Sequence, residues 1–288
     1  MSPYVILTDS ACDIVPETLT LWGVKAISLT FRFNGEDKEY GNDDMPSGDF
    51  YNRMRAGGIA KTSAINSERF RVFFEDELKA GNDVLYLGFS SGLSATYNAA
   101  RMAAEQLARE YPDRKIITID TLAASAGFGM LVALASRAKN EGKSLDEVAE
   151  LTRSYIPRLC HWFTVDDLVY LKRGGRVNPT VAFVGNILGI KPILHVDDEG
   201  HLINMAKVRG RKASIAMLAK KYGELLESTE VNEAFISHGD CIADAEELKS
   251  ILESKYGANV TLITPVGTVI GAHSGPGTLA LFYIGAKR

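Results

Sequence analysis

Three short segments of the chain concentrate the groups that can do chemistry. Gly88-Phe89-Ser90-Ser91-Gly92-Leu93-Ser94-Ala95-Thr96-Tyr97 places three serines and a threonine between a strand-like run, residues 83–87, and an alanine-rich helical pattern. Lys61-Thr62-Ser63 and Gly271-Ala272-His273-Ser274-Gly275-Pro276-Gly277 add further hydroxyls and an imidazole. Hydroxyls at a helix start lie beside free backbone N–H groups and the positive end of the helix dipole, which suits an anion. Two chemistries fit. The first is acyl transfer: Gly88-Phe89-Ser90-Ser91-Gly92 matches the G-x-S-x-G nucleophile elbow, and Asp240 and His273 follow in the Ser, Asp, His order of an α/β-hydrolase esterase. Against it, the pattern is permissive in a chain with 26 glycines, no Gly-rich oxyanion loop lies upstream, and the helix is expected to start at Ser94 instead of Ser90. The second is binding without reaction, in which Thr62 with Ser63, Ser91 with Ser94, and His273 with Ser274 converge on one carboxylate. Neutral donors give it directed hydrogen bonds, strengthened by its charge, without burying a permanent cation. Taken singly, each segment has a plainer reading: Ser94 as an N-cap, Thr62-Ser63 as a turn, the His273 loop as a hairpin connection.

The elements that must position these groups change character along the chain. In the first half, apolar runs at residues 4–8, 24–33, 84–89 and 115–120 read as strands. Amphipathic patterns at 49–55, 68–79, 94–110 and 123–140 read as helices. This β-α-β order predicts a mostly parallel sheet with flanking helices and with ligands at the carboxyl ends of its strands. Residues 31–66, richer in Gly, Asp and Asn, read as a small excursion with a hairpin at Asn34-Gly35. After a helix at 144–155 and Pro157, strands are expected at 191–196, 201–208, 232–238, 259–264, 269–272 and 279–285, with helices at 211–226 and 243–256. The expected fold is therefore an α/β domain over residues 1–157 and an α+β domain with an antiparallel sheet over 158–288, with a ligand at their interface.

Bulk properties narrow the partners. With 288 residues, 46% of them hydrophobic, the chain can bury a large core, and a formal net charge of −4 argues against duplex nucleic acid. Cys12, Cys160 and Cys241 are odd in number and widely spaced, which suits neither a disulfide framework nor a structural zinc site and points to a reducing cytoplasm. The N-terminus reads without a signal peptide, and the apolar run at 181–190 is too short to span a bilayer. The histidines at 161, 195, 201 and 238 lack metal-ligand spacing, so no metal is expected. Asp9, Ser10 and Asp13 read more simply as a capped helix start than as a metal or phosphate site, and Cys12 as an inert buried thiol. Lys172-Arg173-Gly174-Gly175-Arg176 reads equally as a phosphate-facing basic loop or a solvated turn.

Thr8-Asp9-Ser10 with Asp13, Lys61-Thr62-Ser63, the run from Ser90 to Tyr97, Lys172-Arg173-Gly174-Gly175-Arg176, Lys191-Pro192-Ile193-Leu194 and the glycine-rich His273 loop occur together in one order. In that combination the chain resembles the DegV family of bacterial fatty-acid-binding proteins, from near its first residue to near its last. The resemblance implies one DegV-type unit of two domains enclosing one long-chain, palmitate-like fatty acid, with no cofactor and no turnover of its own. It further implies a partner fatty acid kinase that makes an acyl phosphate for phospholipid metabolism, with transient membrane contact. By position, Thr62 and Ser94 would bind the carboxylate with His273 close by. Ser63, Ser91 and Ser274 would flank it, and Arg209, with Arg173 and Arg176, would face the kinase. Ala95, Ala272, Ser274 and Gly210 depart from common family residues; none removes a hydroxyl assigned to the carboxylate, but Gly210 weakens the case for Arg209. Residues 128–135 and 181–190, mixing small and bulky apolar side chains, are candidates to line the tail.

Overall fold

The computed structural model describes residues 3–176, 189–225 and 231–288. Four strands, β1 (Tyr4–Asp9), β2 (Val24–Ile27), β6 (Asp83–Gly88) and β7 (Ile116–Asp120), form an all-parallel sheet in the order β2-β1-β6-β7. A parallel sheet is covered on both faces, and β6 accordingly buries Val84 through Gly88 as one continuous run instead of alternating. The expected strand over 24–33 breaks in two. Its second half leaves as β3 (Thr30–Phe33), which pairs antiparallel with β4 (Tyr40–Gly41) and β5 (Ala60–Ser63) in a separate three-stranded sheet. The hairpin at Asn34-Gly35 is present: Glu36 N–H donates to Phe33 O at 3.1 Å, and Gly35 takes the left-handed φ of 83° that its turn demands.

Helices α1 (Pro16–Leu21), α2 (Ser47–Arg55), α3 (Ser67–Lys79), α4 (Thr96–Glu110), α5 (Ser125–Asn140) and α6 (Leu145–Tyr155) connect these strands. Local chemistry sets their starts. Asn66 Oδ1 caps α3 by accepting from Arg69 N–H at 2.9 Å, and Ser144 with Glu147 forms a capping box on α6.

From Leu159 onward the chain builds a six-stranded sheet from β8 (Leu159–Thr164), β9 (Ile190–Val196), β10 (Leu202–Arg209), β11 (Ala234–His238), β12 (Val260–Pro265) and β13 (Leu279–Ile284). The order is β10-β9-β8-β13-β11-β12, and every neighbouring pair is antiparallel except β11 with β12, so the sheet is mixed. Helices α7 (Val169–Gly174), α8 (Arg211–Leu225), α9 (Ile242–Tyr256) and α10 (Thr268–Ser274) complete it. Two expectations are corrected. Central strand β8 was not anticipated, because Leu-Cys-His-Trp-Phe-Thr is buried at all six positions and shows no period-two alternation. The segment 269–272, read as a strand from its β-branched residues, is helical. Asn42 fixes that helix's start by taking Thr268 Oγ1–H on its backbone carbonyl at 2.8 Å and Val269 N–H on its side chain at 3.2 Å.

Helix α5 lies between the two large sheets, buried along most of its length, and packs on β1, β8, β11 and β13. Its glycines permit the close approach. A Cβ on Gly129 would lie 2.6 Å from Ile14, and one on Gly127 2.7 Å from His161 Nε2.

Two carboxyl groups are buried at this junction. Asp9 caps the turn after β1 through Ala11 N–H (3.1 Å) and also accepts from Tyr86 O–H (2.7 Å) and Phe89 N–H (3.0 Å), yet burial still pushes its pKa up to about 6. Asp13 accepts from the Ser125 hydroxyl at 2.6 Å, and burial pushes it up to about 8. With a folded pKa above the unfolded one, Asp13 contributes stability that is fully present below about pH 4 and is lost as pH rises through about 8. The Asp13→Asn variant should not suffer that loss. Its melting temperature relative to wild type should therefore rise by several degrees between mildly acidic and mildly alkaline buffer, and a pH-independent difference would mean that Asp13 is ionised in the fold.

Candidate functional site

Strand β5 and helix α10 bring together residues that are far apart in sequence. Thr62 Oγ1 lies 2.8 Å from His273 Nε2. Helix α10 is anchored by Asn42, and the loop before it by the Tyr51 hydroxyl, which donates to Val266 O at 2.8 Å. On the far side of the imidazole, Gly174 ends α7 so close that a Cβ there would fall well inside van der Waals contact with His273 Nδ1. The ring is thus clamped between a hydroxyl and a backbone.

Burial first, and the nearby Arg176 second, push the His273 pKa down to about 4, so the imidazole is neutral at neutral pH. Either tautomer of the ring can make this contact. If Nε2 carries the proton and donates to Thr62 Oγ1, the threonine O–H is left free to donate; the other tautomer would consume it.

Ser94 is placed by the turn that ends β6. Helix α4 starts at Thr96, two residues later than expected, with Ala95 at the N-cap position and making no side-chain cap. Ser94 Oγ instead accepts Thr96 N–H at 3.2 Å and lies 2.9 Å from Thr96 Oγ1. With the Thr96 hydroxyl donating, the Ser94 O–H is also free to donate.

Thr62, Ser63, Ser94, His273 and Ser274 all line one cavity of about 220 Å³, together with Arg176. Its remaining wall is mostly apolar, with Phe89, Leu93, Phe163, Val196, Leu202 and Phe282 prominent. The Ser274 hydroxyl is buried and has no partner among the described residues. A second, more polar pocket of about 390 Å³ shares Thr62, His273 and Arg176 with the first and adds Lys61 and Arg173. Arg176 also ties this region together, donating from Nε to Leu93 O at 3.1 Å and from Nη1 to Gly174 O at 2.6 Å.

Other expected residues fall elsewhere. Ser91 is exposed and is absent from the cavity wall; its N–H donates to Asp120 Oδ1 at 3.2 Å. Arg209 is exposed at the end of β10, paired with Ile190 and outside both pockets. Residues 128–135 are core of α5 and do not line the cavity, and 181–188 lie outside the described residues. Strands β8, β9, β11 and β13 instead contribute His161, Phe163, Val196, Ser237, Ala280 and Phe282 to the wall, and sequence reasoning did not single out His161 or Ser237 as site residues. Only alternate residues of β13 (Ala280, Phe282) and β8 (His161, Phe163) face it, a period-two signal hidden because the opposite faces are buried too.

The hydrolase arrangement is not assembled. The Ser90 side chain is fully buried, donates to Gly200 O at 2.9 Å and accepts Gly92 N–H at 3.2 Å. Asp240 is ion-paired with Arg55, and His273 is engaged by Thr62. Among the described residues no cluster of three or more His, Cys, Asp or Glu side chains could hold a metal ion, and no helix is long and apolar enough to cross a membrane.

A family profile described as "Uncharacterised protein, DegV family" matches residues 3–286. A DegV domain-containing protein of Clostridium perfringens is 42% identical over 289 residues, covering 100% of this chain and 99% of that one. Among solved structures, a DegV lipid binding protein from Thermotoga maritima superposes with a TM-score of 0.85 at 29% identity, over 99% of both chains. A fatty-acid-binding DegV family protein from Thermus thermophilus gives 0.85 at 28% identity, over 99% of this chain and 100% of that one.

Proposed function

Since the chain belongs to the DegV family, we propose that it binds one long-chain fatty acid, with the carboxylate at Thr62, Ser94 and His273 and the tail in the adjoining apolar cavity. One observation carries the reading: an apolar chamber ends at a cluster of neutral hydroxyls, Thr62 and Ser94, each able to donate when its neighbour, His273 or Thr96, supplies the proton of the bond they share. Structural neighbours above a quarter sequence identity that bind fatty acids support it. In this reading the neutral His273 orients Thr62, Ser63 and Ser274 flank the head group, and Arg176 supplies the nearby positive charge.

Affinity resides in the tail. Burying about fifteen methylenes at about 0.8 kcal/mol each contributes on the order of 10 kcal/mol before the cost of ordering the chain. The hydroxyls fix which end enters and select a carboxylate. We place the boundary between the two domains at residues 157 and 158, with the ligand between them, and the protein in the cytoplasm as a carrier with no turnover of its own.

Titration of delipidated protein with hexadecanoic acid tests the site. Thr62→Ala and Ser94→Ala should each weaken binding by roughly ten- to a hundredfold, the value of one charge-assisted hydrogen bond of about 1.5 to 3 kcal/mol. Unchanged affinity in the double substitution would remove the carboxylate from this place. We further propose that the lipid is presented to a fatty acid kinase, which the second pocket favours because it sets Lys61, Arg173 and Arg176 beside the head group, where a phosphate must arrive. Arg209→Ala should then leave lipid binding intact and slow phosphorylation by the kinase, as read in a reconstituted acyl phosphate assay. Loss of lipid instead would make Arg209 part of the binding site.

A further inference from the structure

The polar pocket beside the head group is larger and more positively charged than a carboxylate needs. Its volume is about 390 Å³, against about 220 Å³ for the apolar cavity, and its wall carries Lys61, Arg173 and Arg176 but no acidic side chain. All three cations are exposed. Arg176 bonds to the backbone carbonyls of Leu93 and Gly174, and the Arg173 guanidinium stands over the Tyr170 ring at 5.9 Å, contacts that leave both charges uncompensated. A fatty acid held by neutral hydroxyls brings a single negative charge and does not use this surplus.

The two pockets meet where the acyl chain ends. Thr62, His273 and Arg176 line both, so a chain whose carboxyl carbon lies at Thr62 directs whatever is attached to that carbon into the basic pocket. An ester suits this junction as an acid does, because its carbonyl oxygen accepts from the same hydroxyls. Lys61 and Arg173 line the basic pocket and not the cavity, so they stand beyond the shared wall. A spacer of a few atoms between carbonyl and phosphate reaches them, where the guanidinium matches phosphate oxygens in pairs and the ammonium acts as a point charge.

Resting on the fatty acid reading for the tail, we infer that the protein also binds single-chain phospholipids of the lysophosphatidate class. The acyl chain lies in the apolar cavity, its ester carbonyl at Thr62 and Ser94, and its glycerol phosphate in the basic pocket against Lys61 and Arg173.

Calorimetric titration of delipidated full-length protein with hexadecanoic acid, monohexadecanoyl glycerol and hexadecanoyl glycerol phosphate, each below its aggregation concentration, tests this. The phosphate ester should bind about tenfold or more tightly than the monoglyceride, which presents the same chain and ester without the phosphate. The double substitution Lys61→Ala with Arg173→Ala should weaken the phosphate ester by roughly ten- to a hundredfold and leave hexadecanoic acid within about twofold of wild type. Equal affinity of the two esters in wild type overturns the inference, with no variant required. An equal loss of acid and phosphate ester in the double variant overturns it too. Binding of hexadecanoic acid without binding of the phosphate ester removes this inference alone, whereas failure of the acid itself to bind removes the fatty acid reading and this inference with it.

Discussion

Gly174→Ala is expected to weaken fatty acid binding by at least tenfold, as much as removing a carboxylate ligand outright, although Gly174 donates nothing to the head group. A methyl group at this position collides with His273 Nδ1, and the ring can yield only by moving away from Thr62, 2.8 Å from its other nitrogen. Without the imidazole as donor, Thr62 loses the arrangement that frees its own proton for the carboxylate. The backbone itself tolerates the change, because Gly174 lies within α7, its φ is not positive, and alanine is the better helix former. Stability should thus hold while affinity falls, a combination that a folding defect does not produce. Calorimetric titration beside a thermal melt separates the two. Unaltered affinity would show that the imidazole does not position Thr62.

The larger effect is expected at the other end of the ligand. Ala280 is a small buried residue on β13 that lines the cavity, flanked across the sheet by Phe163 on β8 and Ser237 on β11. Ala280→Phe projects a phenyl ring into the space assigned to the tail. Because the tail supplies on the order of 10 kcal/mol, obstructing even part of its path should cost binding of hexadecanoic acid a thousandfold or about that. Short acids that end before the ring should be less affected, so the preference by chain length should shift downward. A chain-length series on wild type and variant measures this directly. If long acids bind Ala280→Phe unchanged, the tail runs elsewhere.

The contrast between these two ends explains what the sequence made legible. The residues proposed for the head group were marked by type: Ser94 lies in a hydroxyl-rich segment after a strand, His273 in a glycine-rich run and Thr62 beside a second hydroxyl, and the structure gathers the three on one cavity. The parallel order of the first sheet was equally readable, because β-α-β alternation leaves little choice. The chamber was not. Part of its wall is alternate residues of β8 and β13, whose runs show no polar alternation because both faces are buried, and β8 went unrecognised for that reason. The candidate tail helix at 128–135 proved to be the core element between the sheets, a role that apolar periodicity alone does not distinguish from lining a channel. Ser90 misled in the opposite direction. Its G-x-S-x-G setting is genuine, but the strand-to-helix turn points its hydroxyl at Gly200 O, where it joins the segment at 88–95 to the turn after β9.

Native mass spectrometry of the purified protein, followed by the same measurement after denaturation, tests the central claim most directly. A single long-chain fatty acid should add its mass to the folded protein and be released on unfolding, and delipidated protein should regain it when the acid is supplied. A folded protein at the mass of the bare polypeptide that takes up no fatty acid on addition would contradict the account.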